Sequence, residues 1–269
     1  MIFQTDDNNF EFNKNGFITI ENFFDENEIS LIKSRYDLLK LGEFGHIYTN
    51  IFDKDPLTNI NIAAFLYEMF APKIAKYFKN YSLVGGVFLA KGIGENSYSK
   101  IHQDWNMVDE SKYWSVGVWC PLEDVDENNG CLQVIPGSHK WFKSIRSQNM
   151  PSTTFEFKQV EAALKSVPLK KGSLVVFAHN LFHGSKPNYT KNIRPVAYIG
   201  VVSVNSQMVH YIKDNNKIKV IKADNDFYIY KVQKLVKGEK LSLEVIDEIA
   251  YLPSYVVSES DMNGRLERN

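Results

Sequence analysis

The stretch SLVVFAHNLFHGSKPNYTKNIRPVAYIGVVSV, from Ser173 to Val204, contains two apolar runs, SLVVFA and RPVAYIGVVSV, held apart by a polar segment carrying Gly184, Pro187 and several Asn residues. Short runs of β-branched and aromatic residues bounded by turn formers read as strands. Outward from here the same texture begins at Tyr81 and recurs as YSLVGGVFLA, WSVGVWCPL and CLQVIP, punctuated by Asn129-Gly130, Pro136-Gly137 and Lys171-Gly172. Short strands joined by turns, without crossover helices between them, predict a mainly β sandwich or barrel rather than a parallel sheet.

The flanks read differently. GFITIENFF (Gly16 to Phe24) predicts a short strand, followed by a helix with Asp25 as N-cap, Glu28 completing a capping box, and Ile29, Ile32, Tyr36 and Leu39 on one face. A second amphipathic segment runs from Ile60 to Phe78, with Pro72 expected to kink or divide it. EFKQVEAALK (Glu156 to Lys165) predicts a helix or lid-like insert, and KSVPLKK (Lys165 to Lys171) a solvated turn. In the tail after Tyr211, FYIYKVQKLV and AYLPSYVV are expected to pack onto the main body. No repeat or linker interrupts the chain. It reads as one domain over 1–269, with a core over 81–205, N-terminal helices over 25–80 and a C-terminal extension over 206–269.

Composition supports a large core: 44% of the 269 residues are hydrophobic and 13% aromatic. With 31 Lys+Arg against 32 Asp+Glu, the net charge of −1 gives no electrostatic footprint for nucleic acid or an anionic membrane. The start, MIFQTDDNNFEFNKNG, is acidic and polar, and no apolar run approaches a membrane span, so a cytoplasmic location is expected. Cys120 and Cys131 have neither metal-motif spacing nor the number for a disulfide framework. The formal glycosylation triplet at Asn188 is discounted for want of a secretory signal. A small-molecule substrate is the expected partner, and oligomeric state is left open.

The chemistry starts at IHQDWN, Ile101 to Asn106. On a strand, residues two apart share a face, so His102 and Asp104 emerge side by side while Gln103 faces away. Such a pair also suits a half-exposed surface strand. A metal site of two histidines and one carboxylate needs another histidine. His183 is the best placed of the six, because Gly184 and Ser185 leave room beside it, although a histidine hydrogen-bonded at a loop end would look the same. Arg194 opens an apolar strand, where an inward guanidinium needs an anion and binds a carboxylate by two parallel hydrogen bonds; a strand-end salt bridge is the alternative. Pro195 places Arg194 in extended backbone and marks either the start of the strand or an edge.

Four segments resemble the phytanoyl-CoA dioxygenase family of non-haem iron(II), 2-oxoglutarate-dependent oxygenases: the opening GFITIENFFDENEI, the HQD of His102 to Asp104, NNGCLQVIPGSH from Asn128 to His139, and H-G-S-x-x-N-x-T-x-x-x-R from His183 to Arg194. The resemblance covers residues 14–205 and implies a double-stranded β-helix, a jelly roll of the cupin kind. It further implies His102, Asp104 and His183 as iron ligands, a triad that leaves adjacent positions open. Arg194, assisted by Ser185, would bind the distal carboxylate of 2-oxoglutarate, and Trp119 would line the co-substrate pocket. Fe(II), 2-oxoglutarate and O2 are then the expected cofactor and co-substrates. The expected reaction is hydroxylation of an unactivated carbon of a small metabolite or natural-product intermediate, with release of succinate and CO2. His139 is left to a structural turn and His179 to neighbouring backbone.

Lys91, Tyr98, Trp105, Asn106 and Met107 are substrate candidates by nearness to HQD, packing or solvent exposure being the alternative for each. Three other readings stay open. A zinc hydrolase would use the same ligands but give Arg194 and Ser185 no common task. A non-catalytic jelly-roll protein would keep the ligands without turnover. Desaturation, epimerisation or cyclisation would replace hydroxylation on an identical site.

Overall fold

A computed structural model of the chain describes residues 2–52, 55–142, 144–148, 150, 154–155, 158–251 and 256–266. In chain order the strands are β1 Phe17–Ile20, β2 Ile47–Thr49, β3 Tyr81–Lys91, β4 Ser99–His102, β5 Ser115–Pro121, β6 Leu132–Val134, β7 Thr154–Phe155, β8 Lys165–Val167, β9 Leu174–Ala178, β10 His183–Ser185, β11 Arg194–Ser203, β12 Val209–Asp214, β13 Lys217–Lys222, β14 Val245–Ala250 and β15 Val256–Val257. The helices are α1 Asp6–Asn15, α2 Glu26–Asp37, α3 Pro56–Ile74, α4 Val232–Val236 and α5 Glu259–Leu266, with short 3-10 turns between elements.

Two sheets make the core, in the orders β1-β9-β5-β11-β3-β2 and β4-β10-β6-β8. Passing from β3 to β6 and again from β8 to β11, the chain crosses from one sheet to the other at every step, and the strands of both sheets pair antiparallel. That winding is the expected jelly roll. Every residue of β5 and β9 is buried, because helices cover the outer face of the larger sheet while its inner face lines the barrel.

Helix α2 forms as its sequence dictates, with Asp25 and Glu28 closing a reciprocal capping box and Ile29, Ile32 and Tyr36 buried. Helix α3 starts at Pro56, earlier than the apolar spacing suggests, under an Asp55 N-cap. It carries Pro72 in its last turn, where the proline ends the helix rather than dividing it. The helix approaches β3 closely at Gly86 (φ 113°), where a Cβ would lie 3.1 Å from Ala63 Cα. Gly85 and Gly86 sit opposite the register shift between Tyr198 and Gly200, so the glycine pair in YSLVGGVFLA is the site of a bulge.

Several expectations change. Asp6–Asn15 is a helix capped by Thr5, burying only Asn9 and Phe12; so thin an apolar face leaves little period to detect. KSVPLKK begins as strand β8 before it turns, paired to β6 by register that the local lysines do not signal. Residues 156–157 of the expected insert lie outside the described residues. Residues 158–163 form a 3-10 helix, and Val160 packs with Trp141, Phe182, Val257 and Met262, so this part is anchored in a cluster of its own. Pro195 marks a strand start rather than an edge: β11 lies centrally between β3 and β5, and Pro195 stands one residue before its pairing to β5 begins at Val196, its carbonyl accepting the Leu122 N–H. FYIYKVQKLV does pack on the body, with Phe227, Tyr228 and Val232 clustering with Val84, Val108 and Val202. Residues 252–255 of AYLPSYVV lie outside the described residues; of the rest, Tyr251 packs against the cluster of Met150, Val209 and Tyr211, and Val257 lies in that of Val160 and Trp141. Both cysteines are buried and free, and no described helix is long and apolar enough to cross a membrane.

Candidate metal and co-substrate site

His102 ends β4 and His183 begins β10, and the two are direct partners across the smaller sheet. Asp104 lies beyond the end of β4, a strand expected to carry both it and His102, and is fixed there by its backbone N–H donating to the His179 carbonyl at 2.8 Å. Oδ1 of Asp104 lies 3.6 Å from Nε2 of both histidines, and one ligand atom from each residue falls within 4.8 Å of the others. Each ring is pinned by its far nitrogen: Nδ1–H of His102 donates to the Lys100 carbonyl at 2.7 Å and that of His183 to the Leu181 carbonyl at 2.9 Å. A carbonyl only accepts, so Nδ1 carries the proton and each Nε2 lone pair is turned toward Asp104.

For Asp104 and His183 the electrostatics favour the form that binds a cation. Burial, then the neighbouring His102, pushes His183 down to about 4. Burial works against ionised Asp104 but is outweighed by His183 and His102, which hold its carboxyl well below the usual range. His102 alone is raised, since the hydrogen bond and charge of Asp104 overcome the effect of burial. Two imidazole nitrogens and one carboxylate converging from one side fit a divalent transition metal with positions left for other ligands.

Arg194 faces the same cavity, a space of about 400 Å³. Its guanidinium is 6% exposed and stacks over Trp119 at 5.0 Å, yet Nε and Nη1 have no hydrogen-bond partner. Buried donors are rarely left so. Burial lowers its pKa to about 10, with Glu123 opposing, so the cation persists at neutral pH. Ser185, two residues after His183 on β10, lines the cavity as well. Directly opposite Arg194 in the β11–β3 pairing stands Lys91, 1% exposed, its ammonium donating to the Ser97 and Lys186 carbonyls at 2.5 and 2.9 Å. Burial, reinforced by Arg194, lowers Lys91 to about 7.

The cavity therefore brings two cations, Arg194 and Lys91, together with the His/Asp/His cluster. Trp105 and Met107 line it, whereas Tyr98 is 41% exposed and outside the lining. Asn106 is buried away from it, its side-chain oxygen accepting the Arg146 backbone N–H at 2.6 Å. Lys91 joins the cationic end, away from the position that nearness to HQD suggested. Sequence reading missed Tyr198, the lining residues Ile47, Thr49, Ile51, Val87 and Leu89, and the buried Arg146–Glu110 pair. Alternation held a signal for several of them, since 87, 89 and 91, or 194, 196 and 198, share a strand face. His179 does more than serve backbone: its ring meets Ser115 Oγ and Tyr198 Oη.

A protein-family model, phytanoyl-CoA dioxygenase (PhyH), matches residues 12–196. The phytanoyl-CoA dioxygenase of Arabidopsis thaliana is 34% identical over 137 residues, covering 48% of this chain and 46% of that protein. The chain spans about half the length of the curated relatives it matches. In fold it is similar to HygX from Streptomyces hygroscopicus, solved with nickel and 2-oxoglutarate (TM-score 0.52, 16% identity, 73% of this chain and 86% of that one). It is similar also to SnoK, a non-heme α-ketoglutarate-dependent carbocyclase from nogalamycin biosynthesis (TM-score 0.53, 16% identity, 76% and 86%). With the family model spanning most of the jelly-roll core, the chain belongs to the phytanoyl-CoA dioxygenase (PhyH) family.

Proposed function

We propose that the protein is an Fe(II)- and 2-oxoglutarate-dependent oxygenase that hydroxylates an unactivated carbon of a small, largely apolar metabolite or natural-product intermediate. The observation that carries this reading is Arg194, a buried guanidinium with two unpartnered nitrogens, set in one cavity with His102, Asp104 and His183. A hydrolytic metal site gives such an arginine no task, whereas a dicarboxylate co-substrate spanning from metal to arginine does.

In this reading His102 Nε2, Asp104 Oδ1 and His183 Nε2 hold the iron. Iron(II) together with 2-oxoglutarate supplies the oxidising chemistry, consuming O2 and releasing succinate and CO2. The chain's own part is orientation and exclusion of water. Arg194 and the Ser185 hydroxyl take the distal carboxylate, Trp119 stacks behind the guanidinium, and Lys91, already hydrogen-bonded to backbone, adds a second positive charge at that end. Elsewhere in the lining, Ile47, Ile51, Val87, Leu89, Trp105 and Met107 present no charge. A substrate portion reaching the metal from there is recognised by apolar contact, with the Thr49 hydroxyl as a polar handle.

The test is anaerobic addition of Fe(II) and then 2-oxoglutarate, which is expected to give a weak visible charge-transfer absorption, followed by succinate release in air across neutral lipophilic compounds. Zinc-supported hydrolysis with no dependence on 2-oxoglutarate would overturn the reading.

A further inference from the structure

We infer that Tyr198 is a positioning residue that occupies Asp104 Oδ2 and so leaves a single carboxylate oxygen to face the two imidazoles; this rests on the metal-site reading above. The two oxygens of Asp104 have different surroundings. Oδ1 is equidistant from His102 and His183 Nε2, at 3.6 Å, whereas Tyr198 Oη stands 3.4 Å from Oδ2 and 3.1 Å from His179 Nε2. Behind it the His179 ring continues to the Ser115 hydroxyl through Nδ1.

The direction of this chain follows from counting protons. A carboxylate only accepts and draws the phenol proton more strongly than a neutral imidazole nitrogen does. Tyr198 therefore donates to Oδ2, His179 Nε2–H donates to the phenol oxygen, and Nδ1 accepts from Ser115. One tautomer of His179 satisfies every member. The backbone repeats the linkage, since the Asp104 N–H donates to the His179 carbonyl at 2.8 Å and the His179 N–H to the Ser115 carbonyl at 3.1 Å. Room for the phenol is built in at Gly117 on β5, where a Cβ would lie 2.5 Å from Tyr198 Oη. His179 and Ser115 are buried and Tyr198 and Asp104 are half-buried, so side chain and backbone together fix the arrangement from behind.

The consequence concerns the co-substrate. A carboxylate free to swing can offer both oxygens to a cation and fill a position that 2-oxoglutarate needs; with Oδ2 held, Asp104 offers one. Tyr198→Phe keeps the ring and removes only the donor. In the presence of saturating 2-oxoglutarate, its affinity for cobalt(II) is expected to fall about 10- to 100-fold, the usual cost of losing a partner behind a metal ligand, with a changed cobalt visible spectrum and an unchanged circular dichroism spectrum. Affinity within ~2-fold of the wild type and an unaltered spectrum would overturn the inference. Failure of the wild-type chain to bind cobalt would instead overturn the metal-site reading beneath it. Should Tyr198→Phe not fold, nitrogen NMR of the zinc-loaded wild type decides: His179 protonated at Nε2 is expected, and protonation at Nδ1 overturns the assignment.

Discussion

Arg194 has the clearest single-residue consequence, because its buried guanidinium lacks partners for two nitrogens. Removing one member of a buried ion pair costs roughly 3–5 kcal/mol, and each 1.4 kcal/mol is about tenfold in affinity. Arg194→Ala is expected to weaken 2-oxoglutarate about 100- to 1,000-fold by calorimetry while metal binding is retained, and Arg194→Lys to recover only part, for lack of the planar fork. Lys91 gives the same site a pH dependence. Its ammonium is lowered to about 7 by burial and then by Arg194, so above neutrality the ligand-free protein holds it mostly neutral. A bound dicarboxylate favours the charged form, so binding takes up a proton. Affinity is then full below pH 7 and falls as pH rises, by at most about tenfold per unit, as for one linked proton. Lys91→Met is expected to flatten that slope and remove the difference in binding heat between buffers of unlike ionisation enthalpy; an unchanged slope would place the proton elsewhere. Of these residues, His102 and Asp104 were legible as neighbours by strand alternation, whereas His183 and Arg194 were joined to them only through the family resemblance of the string from His183 to Arg194. Lys91 was not placed at the cationic end, since its nearness to Arg194 is a register across more than a hundred residues.

Elements supply the rigidity behind the ligands. The segment after β4 is tied down by Arg146, whose Nε donates to the Asp104 carbonyl at 2.6 Å, whose Nη1 donates to the Ser144 carbonyl, and whose Nη2 grips both oxygens of Glu110 at 2.7 and 2.9 Å. The Asn106 backbone N–H also donates to the Arg146 carbonyl, and the Arg146 backbone N–H to the Asn106 side-chain oxygen. Arginine and glutamate are both buried, so neither charge can rely on water. Arg146→Ala is expected to destabilise the protein by about 3–5 kcal/mol, because it strands Glu110, whereas Arg146→Met with Glu110→Gln should lose much less. Urea unfolding of Arg146→Met, Glu110→Gln and the double variant is the check, and additive losses would show that the pair is not coupled. No sequence signal joins positions 104, 110 and 146, because each lies in irregular backbone without a period. The capping box of α2 and the apolar strand runs were legible for the opposite reason: their information is local. Helix α1 and strand β8 were hidden because tertiary pairing, rather than local pattern, holds them.

At the scale of the molecule, the cavity gathers side chains from both sheets and from the segment around β2, so a ligand there couples distant parts of the chain. Ile47 and Thr49 pair through β2 to Lys91 and Leu89 of β3, Leu89 and Lys91 pair in turn with Val196 and Arg194 of β11, and the metal ligands come from the opposing sheet. What binds the folded cavity and not the unfolded chain stabilises the whole by mass action, about 2.7 kcal/mol at a hundredfold excess over Kd. For a chain of this length each 1 kcal/mol moves Tm by roughly 2–4 °C. Manganese(II), an oxidation-resistant stand-in for iron, is expected to raise Tm by about 5–10 °C at that excess, and 2-oxoglutarate to raise it further only once metal is present. A chelator should reverse both increments. Arg194→Ala should keep the metal increment and lose most of the co-substrate one, while His183→Ala should lose both, because without its third donor the site holds neither. Differential scanning of the three proteins with metal, co-substrate and chelator separates these cases. A metal increment that survives His183→Ala would place the stabilising cation outside the His102, Asp104 and His183 cluster, and the order of binding argued from this cavity would fail with it.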